Sequence, residues 1–462
     1  MNSAELYLPE FRSRRRHIPH GAMVFLSAMI IVYAAVLAIV LPWTAIDALG
    51  YGFLPAPMGA VLILYGTTML LRGCVVHTLS CYEHVRRISR PVADPLQFPF
   101  VSILVPAYNE GDTIVSAVES LLALNYPHYE IIVVDDGSED DTYLMARTLI
   151  GDHDRCRVRV IRKLNGGKWS ALNRAFQESE GDLLLCVDAD SRVGDNALQL
   201  MVPWFDDPTV YAVSGQVTIR NRVNALTRFQ AAEYLLGNGG MRTALSFLGL
   251  VTVVPGPIGL YRRDALTSIA EVPWNSSGED GMRGPFSGAT FAEDFELSLS
   301  ALAIGGRVIY EPRAQAYTKC PTEITSLLNQ RYRWMRGTMQ VFRRYMREMR
   351  PTARTRNRPL DALMLGAYPI DVYVAPLMNF LFWAFVAVAA GTGFSLELIA
   401  SWIAAVMLLN VMAASVYVLA HDDDFSLLPY ALLMDLYQCV LVNSAWVIAL
   451  IDEIRGARMR WS

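Results

Sequence analysis

Apolar positions along this chain fall into long runs at its two ends and short runs in its middle. Residues 22–43 are almost wholly apolar, enough for one membrane helix of roughly 20 residues. The run is longer than the apolar region of a leader peptide and no small-residue cleavage site follows it, so we expect it to remain as an anchor. A second run, residues 56–79, is interrupted only by Arg72 near its expected cytoplasmic end. Long runs return at residues 366–391, 396–420 and 427–451. Between them the apolar stretches are short. Residues 101–105, 130–134, 158–161 and 183–187 read as strands, with Pro106 ending regular pairing of the first. Residues 113–124 and 295–302 have helical spacing. Strands alternating with helices, and carboxylates at the strand ends, predict an open, mainly parallel α/β sheet with ligands at its carboxyl edge.

The predicted organisation has three parts. Residues 1–97 form a basic segment and a two-span hairpin, 98–345 a cytoplasmic α/β domain, and 346–462 an interfacial segment followed by about three spans. Arg12, Arg14, Arg15 and Arg16 before the first run, and Arg86, Arg87 and Arg90 after the second, keep both flanks of the hairpin inside. Seven arginines between residues 343 and 358 read as a segment lying along the inner membrane surface. Three terminal spans would leave Arg455, Arg458 and Arg460 outside, against the charge rule. Pro369 and Pro376 admit a re-entrant piece in the first of them, so both arrangements stay open.

Composition agrees with lipid-facing segments: 53% of residues are hydrophobic and 18% charged, against about 25% charged in soluble domains. A formal net charge of −4 gives no argument for nucleic acid. The six cysteines and seven histidines are scattered without metal-ligand spacing, which predicts reduced thiols and no zinc site.

The residues able to do chemistry cluster in the central domain. Val105-Pro106-Ala107-Tyr108-Asn109-Glu110 closes the first strand and its end can line a nucleotide pocket. Asp136, closing the second strand, can accept from a base N–H; the same residues equally make an Asp-Gly turn, with Asp135 capping a helix. Lys168 follows the glycine turn Asn165-Gly166-Gly167 and can reach a diphosphate or simply face solvent. In strand-like geometry Asp188 and Asp190 share one face and repel unless a cation intervenes, which Mg2+ or Mn2+ on donor phosphates would supply. Glu293-Asp294 begins a helix, where negative charge is favourable, and could also supply a general base. Gln330-Arg331-Tyr332-Arg333-Trp334 offers hydrogen bonds, positive charge and a flat stacking face; an amphipathic helix at lipid headgroups would look similar.

In this fixed order the segments resemble the processive, inverting family 2 glycosyltransferases of membranes: poly-N-acetylglucosamine, hyaluronan and nodulation-type chitin-oligosaccharide synthases and the cellulose synthase catalytic subunit. The resemblance spans residues 101–337. It rests on VPAYNE at 105–110, VVDDGS at 133–138, GGKWSALN at 166–173, DAD at 188–190, VVPGPIGLYRR at 253–263, AED at 292–294 and QRYRW at 330–334. It implies a GT-A, Rossmann-like α/β catalytic domain between transmembrane helices, in a multi-pass protein of the inner (plasma) membrane with that domain cytoplasmic. The implied donor is UDP-N-acetylglucosamine or UDP-glucose, with Mg2+ or Mn2+ as cofactor. The implied partners are the growing polysaccharide, the bilayer and a small membrane accessory subunit.

Carried over residue by residue, the resemblance puts Tyr108, Glu110, Asp136 and Lys168 on the nucleotide and Asp188 near the donor sugar and phosphates. Asp190 would hold the metal, and Asp294 would be the base. Gln330, Arg331 and Arg333 would close over the diphosphate, Trp334 would stack on the terminal sugar, and Gly256-Pro257 would line the acceptor side. The later spans would form an exit channel. Ala292 stands where Thr is common, and residues 274–290 make a longer link than usual. The chain stops soon after its last run, without a cyclic-dinucleotide-binding domain of the kind cellulose synthases carry.

Two other readings compete. A non-processive transferase acting on a lipid phosphate carrier would not need the Gln330–Trp334 cluster. A transporter with a regulatory domain would need ionisable residues along its spans, and the terminal ones show few, Asp371 and Asp435 being the candidates.

Overall fold

The computed structural model describes residues 20–49, 56–88, 97–275, 283–349, 366, 368–391, 396–421 and 423–457. The basic N-terminal segment, Arg90, the middle of the 274–290 link, most of the 343–358 stretch, and Arg458 and Arg460 lie outside these residues.

Every short apolar run of the central domain becomes a strand. The strands are β1 (Val101–Ala107), β2 (Tyr129–Asp135), β3 (Gly151–Asp152), β4 (Cys156–Arg162), β5 (Leu183–Cys186), β6 (Arg192–Val193), β7 (Val210–Ile219), β8 (Gly259–Arg262) and β9 (Arg307–Thr318). They form one sheet in the order β3-β4-β2-β1-β5-β8-β7-β9-β6. The helices through this region are α1 (His20–Leu49), α2 (Ala56–Ile88), α3 (Ile114–Leu122), α4 (Thr142–Arg147), α5 (Lys168–Glu178), α6 (Ala197–Met201), α7 (Ala225–Gly237), α8 (Thr243–Leu248), α9 (Arg263–Ala270), α10 (Glu293–Ala303) and α11 (Ile324–Arg344).

β1 and β2 are buried along their whole length, as expected of parallel strands covered on both faces. Their side chains alternate between two cores. Ile103, Val105, Ile131 and Val133 pack with α3 on one side, and Leu104, Ile132 and Val134 pack with α5 and α10 on the other, the period-two consequence of the pleat.

Two expectations are corrected here. The sheet is mixed rather than mainly parallel: β4, β2, β1 and β5 are parallel, but β8 runs antiparallel to both β5 and β7. The chain reaches β8 through a loop at the carboxyl edge of β5, Gly259 pairing with Cys186, so β8 has to run back from that edge. Pro106 does not end pairing either, because it sits opposite Val134 within β1. Proline lacks only the donor, and the side it would have bonded has already parted, since β1 and β5 pair only as far as Leu104 and Cys186.

The apolar runs at the chain ends become helices, with differences in the second half. Among the described residues, two helices, Ile403–His421 and Met434–Arg455, are long and apolar enough to cross a membrane, and Val24–Val40 and Ile370–Ala384 are shorter apolar stretches. The run at 366–391 starts with a wide turn at Ile370–Val374 after Pro369, and the run at 427–451 has a short helix at Leu428–Leu432 before the helix Met434–Arg455, which contains a wide turn at Gln438–Val442.

α2 continues beyond its expected end at residue 79. Its arginines are paired within the protein: Arg86 and Arg87 both pair with Glu83 at 2.7 Å, and Arg87 also reaches Glu311 of β9 at 3.6 Å. Asp371 is paired with Arg72, one of whose nitrogens lies at 2.6 Å, and Asp435 accepts from Asn410 at 2.8 Å. The two acidic residues a transport path would have used are therefore held between helices.

The end helices share a core with the central domain. Ile30, Val416 and Tyr417 pack with Ala231 and Leu235 of α7 and Leu327 of α11. The last turn of Asn443–Arg455 clamps α11: Tyr332 donates to Asp452 at 2.8 Å, and Arg336, Gln340 and Arg343 each reach Glu453 at 3.2 Å.

Candidate active site

The site is assembled from loops at the carboxyl ends of β1, β2 and β5 and from the first turns of α5 and α10. The β1 and β2 loops are joined to each other. Asn109, held at φ 55°, a conformation Asn tolerates better than most residues, donates its N–H to Ser138 at 3.0 Å and accepts from the Glu139 N–H at 2.9 Å. The Glu110 N–H donates to Thr142 at 2.7 Å. Tyr108 is left exposed on this junction. The Glu110 carboxylate accepts from Thr113 at 2.6 Å. Burial raises its pKa, and the charges of Asp190 and Asp188 add to the effect, so Glu110 faces the acidic pair.

Asp136 is buried, and its oxygens are already engaged. It accepts from Lys163 at 2.8 Å, from the Gly166 N–H at 3.1 Å and from the Gly167 N–H at 2.7 Å. It thereby shapes the turn that starts α5. Gly167 has φ 90°, a left-handed conformation that suits glycine, and the turn delivers Lys168 to the first position of the helix. Asp135 accepts from the Ser138 N–H at 3.3 Å.

Lys168 is the hub. Its ammonium lies 2.7 Å from Asp188 and 3.2 Å from Glu293. Burial would lower its pKa, but Asp188, Glu293 and Asp294 outweigh burial and hold it well above the usual lysine value. Gly256 presses against this pair: a Cβ there would lie 2.5 Å from the ammonium and 2.8 Å from both Asp188 oxygens. A side chain at 256 would therefore separate the ions. Pro257 follows in the same tight turn, closed by the Ile258 N–H donating to Pro255 at 3.2 Å.

Asp188 and Asp190 lie in a turn, not on an extended strand, because β5 stops at Cys186 and the Ser191 N–H donates back to the Asp188 carbonyl at 3.0 Å. The turn still keeps the two carboxylates close. Burial first and the charge of Asp188 second raise the pKa of Asp190, which accepts from Ser191 at 2.9 Å and contacts the Thr318 hydroxyl at 3.3 Å.

Asp294 is the second residue of α10, its carboxylate accepting from the Phe295 N–H at 2.7 Å. Burial, then the neighbouring Glu293, push its pKa up to about 6, against the opposing pull of Lys168. One pocket is lined by Pro106, Lys168, Asp188, Gly256, Glu293 and Asp294, among other residues.

The α11 cluster lies outside the lining of that pocket. Arg331 is buried, pairing with Glu233 of α7 at 2.5 Å and donating to Gln330 at 2.8 Å. Its guanidinium stacks 4.4 Å from the centre of the Trp334 ring, while Trp334 itself is 40% exposed. Arg333 is half-buried and forms no ion pair among the described residues. Gly337 lets α11 approach α10, since a Cβ there would lie 2.8 Å from that of Ala292. Gln340 accepts from the Phe291 N–H at 3.3 Å, tying the acidic turn to the clamp on Glu453.

Residues 274–290 do more than link. Asn173 of α5 donates to the Phe286 carbonyl at 2.8 Å and accepts from its N–H at 3.0 Å, so the described end of this segment is fixed against the helix that carries Lys168. Sequence reasoning missed Lys163, Glu233 and Thr318. None lies in a recognisable motif, and each meets a candidate site residue that is far along the chain.

Residues 102–269 match the family model for glycosyl transferase family 2. The chain is 30% identical over 265 residues to a poly-beta-1,6-N-acetyl-D-glucosamine synthase of Staphylococcus epidermidis, covering 57% of this chain and 60% of that protein. It is 34% identical over 241 residues to a hyaluronan synthase of Streptococcus pyogenes, covering 51% and 56%. The chain thus spans somewhat over half the length of these relatives. Among solved structures, a mannosyltransferase from Pyrobaculum calidifontis, in complex with GDP-Man and Mn2+, aligns with a TM-score of 0.57 at 20% identity over 84% of this chain and 99% of that one. The central domain is a GT-A-type glycosyltransferase fold with a mixed sheet.

Proposed function

We propose that this chain, with a family 2 glycosyltransferase domain at its centre, is an inverting polysaccharide synthase of the inner membrane. It polymerises a β-linked glycan from a UDP-sugar, UDP-N-acetylglucosamine or UDP-glucose, and passes it out between its own helices. The observation that carries this reading is one pocket in which Lys168 bridges the donor-side Asp188 and the base-side Glu293, beside Asp294 with its raised pKa.

In this reading Asp294 takes the proton from the acceptor hydroxyl as that oxygen attacks the anomeric carbon. A base with a pKa near 6 is ionised at neutral pH yet more basic than an ordinary aspartate. Tyr108, Glu110, Asp136 and Lys168 form the nucleotide side, Asp136 through the Gly166-Gly167 turn whose N–H groups it holds. Gly256 and Pro257 bound the acceptor side. Gln330 and Arg333 approach the diphosphate, and we assign Arg331 to backing one face of Trp334 so that the other is free to stack on a sugar.

A divalent cation, Mg2+ or Mn2+, fits Asp190. That carboxylate is half-buried beside Asp188 and carries only hydroxyl partners among the described residues, Ser191 and Thr318, so it has capacity for a cation. The described residues contain no group of three or more His, Cys, Asp or Glu able to hold a metal by themselves. This suits hard cations that take one or two carboxylates and complete their shell with phosphate oxygens. When bound, such a cation would neutralise charge developing on the departing diphosphate.

The test is direct. Purified protein in nanodiscs is incubated with each common UDP-sugar and Mg2+ or Mn2+, and the product is sized. Long polymer supports the reading; a single sugar on a lipid phosphate, or no transfer from any UDP-sugar, rejects it.

A further inference from the structure

Near Asp190, two arginines have no side-chain acceptor among the described residues. Five arginines in the described residues carry a buried N–H without a hydrogen-bond partner: Arg87, Arg192, Arg220, Arg307 and Arg331. Three of them are compensated through their other nitrogens, by Glu83, Asp207 and Glu233 respectively. Arg192 and Arg220 form no ion pair and no side-chain hydrogen bond among the described residues.

These two flank the end of β9. Arg192 of β6 pairs with Tyr317, while the Arg220 N–H, just past β7, donates to the Thr318 carbonyl at 3.0 Å. The Thr318 hydroxyl in turn contacts Asp190. The arginines are also close enough to oppose each other: burial and then the charge of Arg192 hold Arg220 below its ordinary value, with Asp190 acting the other way.

A guanidinium cannot shed its charge in a protein. Two of them on either side of one strand, half-buried and each with a buried Nε–H that lacks an acceptor, leave donors unmet, and an oxyanion between them would satisfy both with charge-assisted bonds. We propose that Arg192 and Arg220 form an oxyanion-binding site next to Asp190 that receives an anionic group of the nucleotide-sugar donor. That group is either the diphosphate or, in an acidic sugar, the carboxylate. The site deepens the donor reading given above and rests on it.

The full chain in nanodiscs is titrated with uridine, UDP, UDP-glucose and UDP-glucuronate in Mg2+, as wild type, Arg192→Gln and Arg220→Gln. If the anion is the diphosphate, both variants bind the three phosphorylated ligands about 10- to 100-fold more weakly, the factor expected of a lost charge-assisted hydrogen bond, with uridine unaffected. If it is the sugar carboxylate, UDP-glucuronate alone loses that factor. No protein partner is lost in either variant, so the melting temperature without ligand should hold or rise. Unchanged affinity for all four ligands means the arginines are merely hydrated and overturns the site. So does a fall in melting temperature, restored by Arg→Lys, with affinities unaltered, because that is a structural role. A wild type that binds no nucleotide overturns the donor reading and this site with it, whereas a wild type that binds while both variants bind equally overturns the site alone.

Discussion

Replacing Lys168 by Met should move the acid limb of activity to higher pH, and the structure sets the size of the move. Asp294 works ionised, so activity is present above its pKa of about 6 and lost as pH falls through it. Burial, Glu293 and to a smaller extent Asp188 push it up, while Lys168 and the Phe295 N–H pull it down. An opposite charge within about 4–6 Å lowers a carboxylate by about 1–3 units, and Lys168 acts on Asp294 from beyond ion-pair contact, since its partners are Asp188 and Glu293. About a third of the Lys168 side chain reaches solvent (35%), so screening favours the lower part of that range, about one to two units. The limb should therefore move from near pH 6 to about 7–8. With a pKa of about 7.5, about a tenth of Asp294 is ionised at pH 6.5, against about three quarters in wild type, a loss of about eightfold that disappears at alkaline pH.

The assay is UDP release measured as kcat/KM from acid to alkaline pH, which reports the free enzyme's groups. Lys168→Arg should keep the limb in place. Glu293→Gln, which removes the charge pushing Asp294 up, should shift it to lower pH. A limb at the same pH in wild type and Lys168→Met would refute the reasoning, because Asp294 would then not sense the lysine that faces it.

Four further outcomes follow from the same geometry. Asp294→Asn should leave nucleotide affinity close to wild type while turnover falls by about 10²–10⁴-fold; unchanged turnover would shift the role of base to Glu293. Asp190→Asn should abolish synthesis, as should chelation of wild type, reversibly on adding Mg2+ or Mn2+, and full activity in excess chelator would reject the cation. Trp334→Ala should shorten or abolish the polymer while slow UDP release persists, since the change touches neither Asp190 nor Asp294; polymer of wild-type length would make Trp334 an anchor only. Gly337→Ala should lower the melting temperature and the activity together, because the new Cβ would sit 2.8 Å from that of Ala292 and overpacking costs about 1–3 kcal/mol; a thermal scan identical to wild type would show that α11 has room to move.

The α11 helix joins the candidate site to the end helices. One face carries Trp334 and Arg331, another meets the acidic turn through Gly337 and Gln340, and a third is held by Asp452 and Glu453 at the end of the last helix. The last helix and the loop before Asp294 are thus joined twice: Gln340 accepts from the Phe291 N–H and donates to Glu453, and Arg336 reaches Glu453 while lying over the Phe291 ring.

Local periodicity was enough to place β1, β2, β4, β5, α3 and α10 within a residue or two. The alternation of the pleat and the 3.6-residue turn are properties of neighbouring positions. The order of the acidic and basic motifs, and their position at strand ends, was legible for the same reason. What the tertiary structure decided was partnership. Lys168 meets Glu293 across a stretch with no local signature. Arg331 looks in sequence like a free cation, yet it is buried against Glu233, 98 residues away, and Asp136 is spent on a turn formed 30 residues later. The sense of β8 and the persistence of β1 through Pro106 depended likewise on which neighbour lay alongside. A charged side chain takes its role from the nearest opposite charge or void, and chain folding over tens of residues, not local pattern, brings that neighbour into contact.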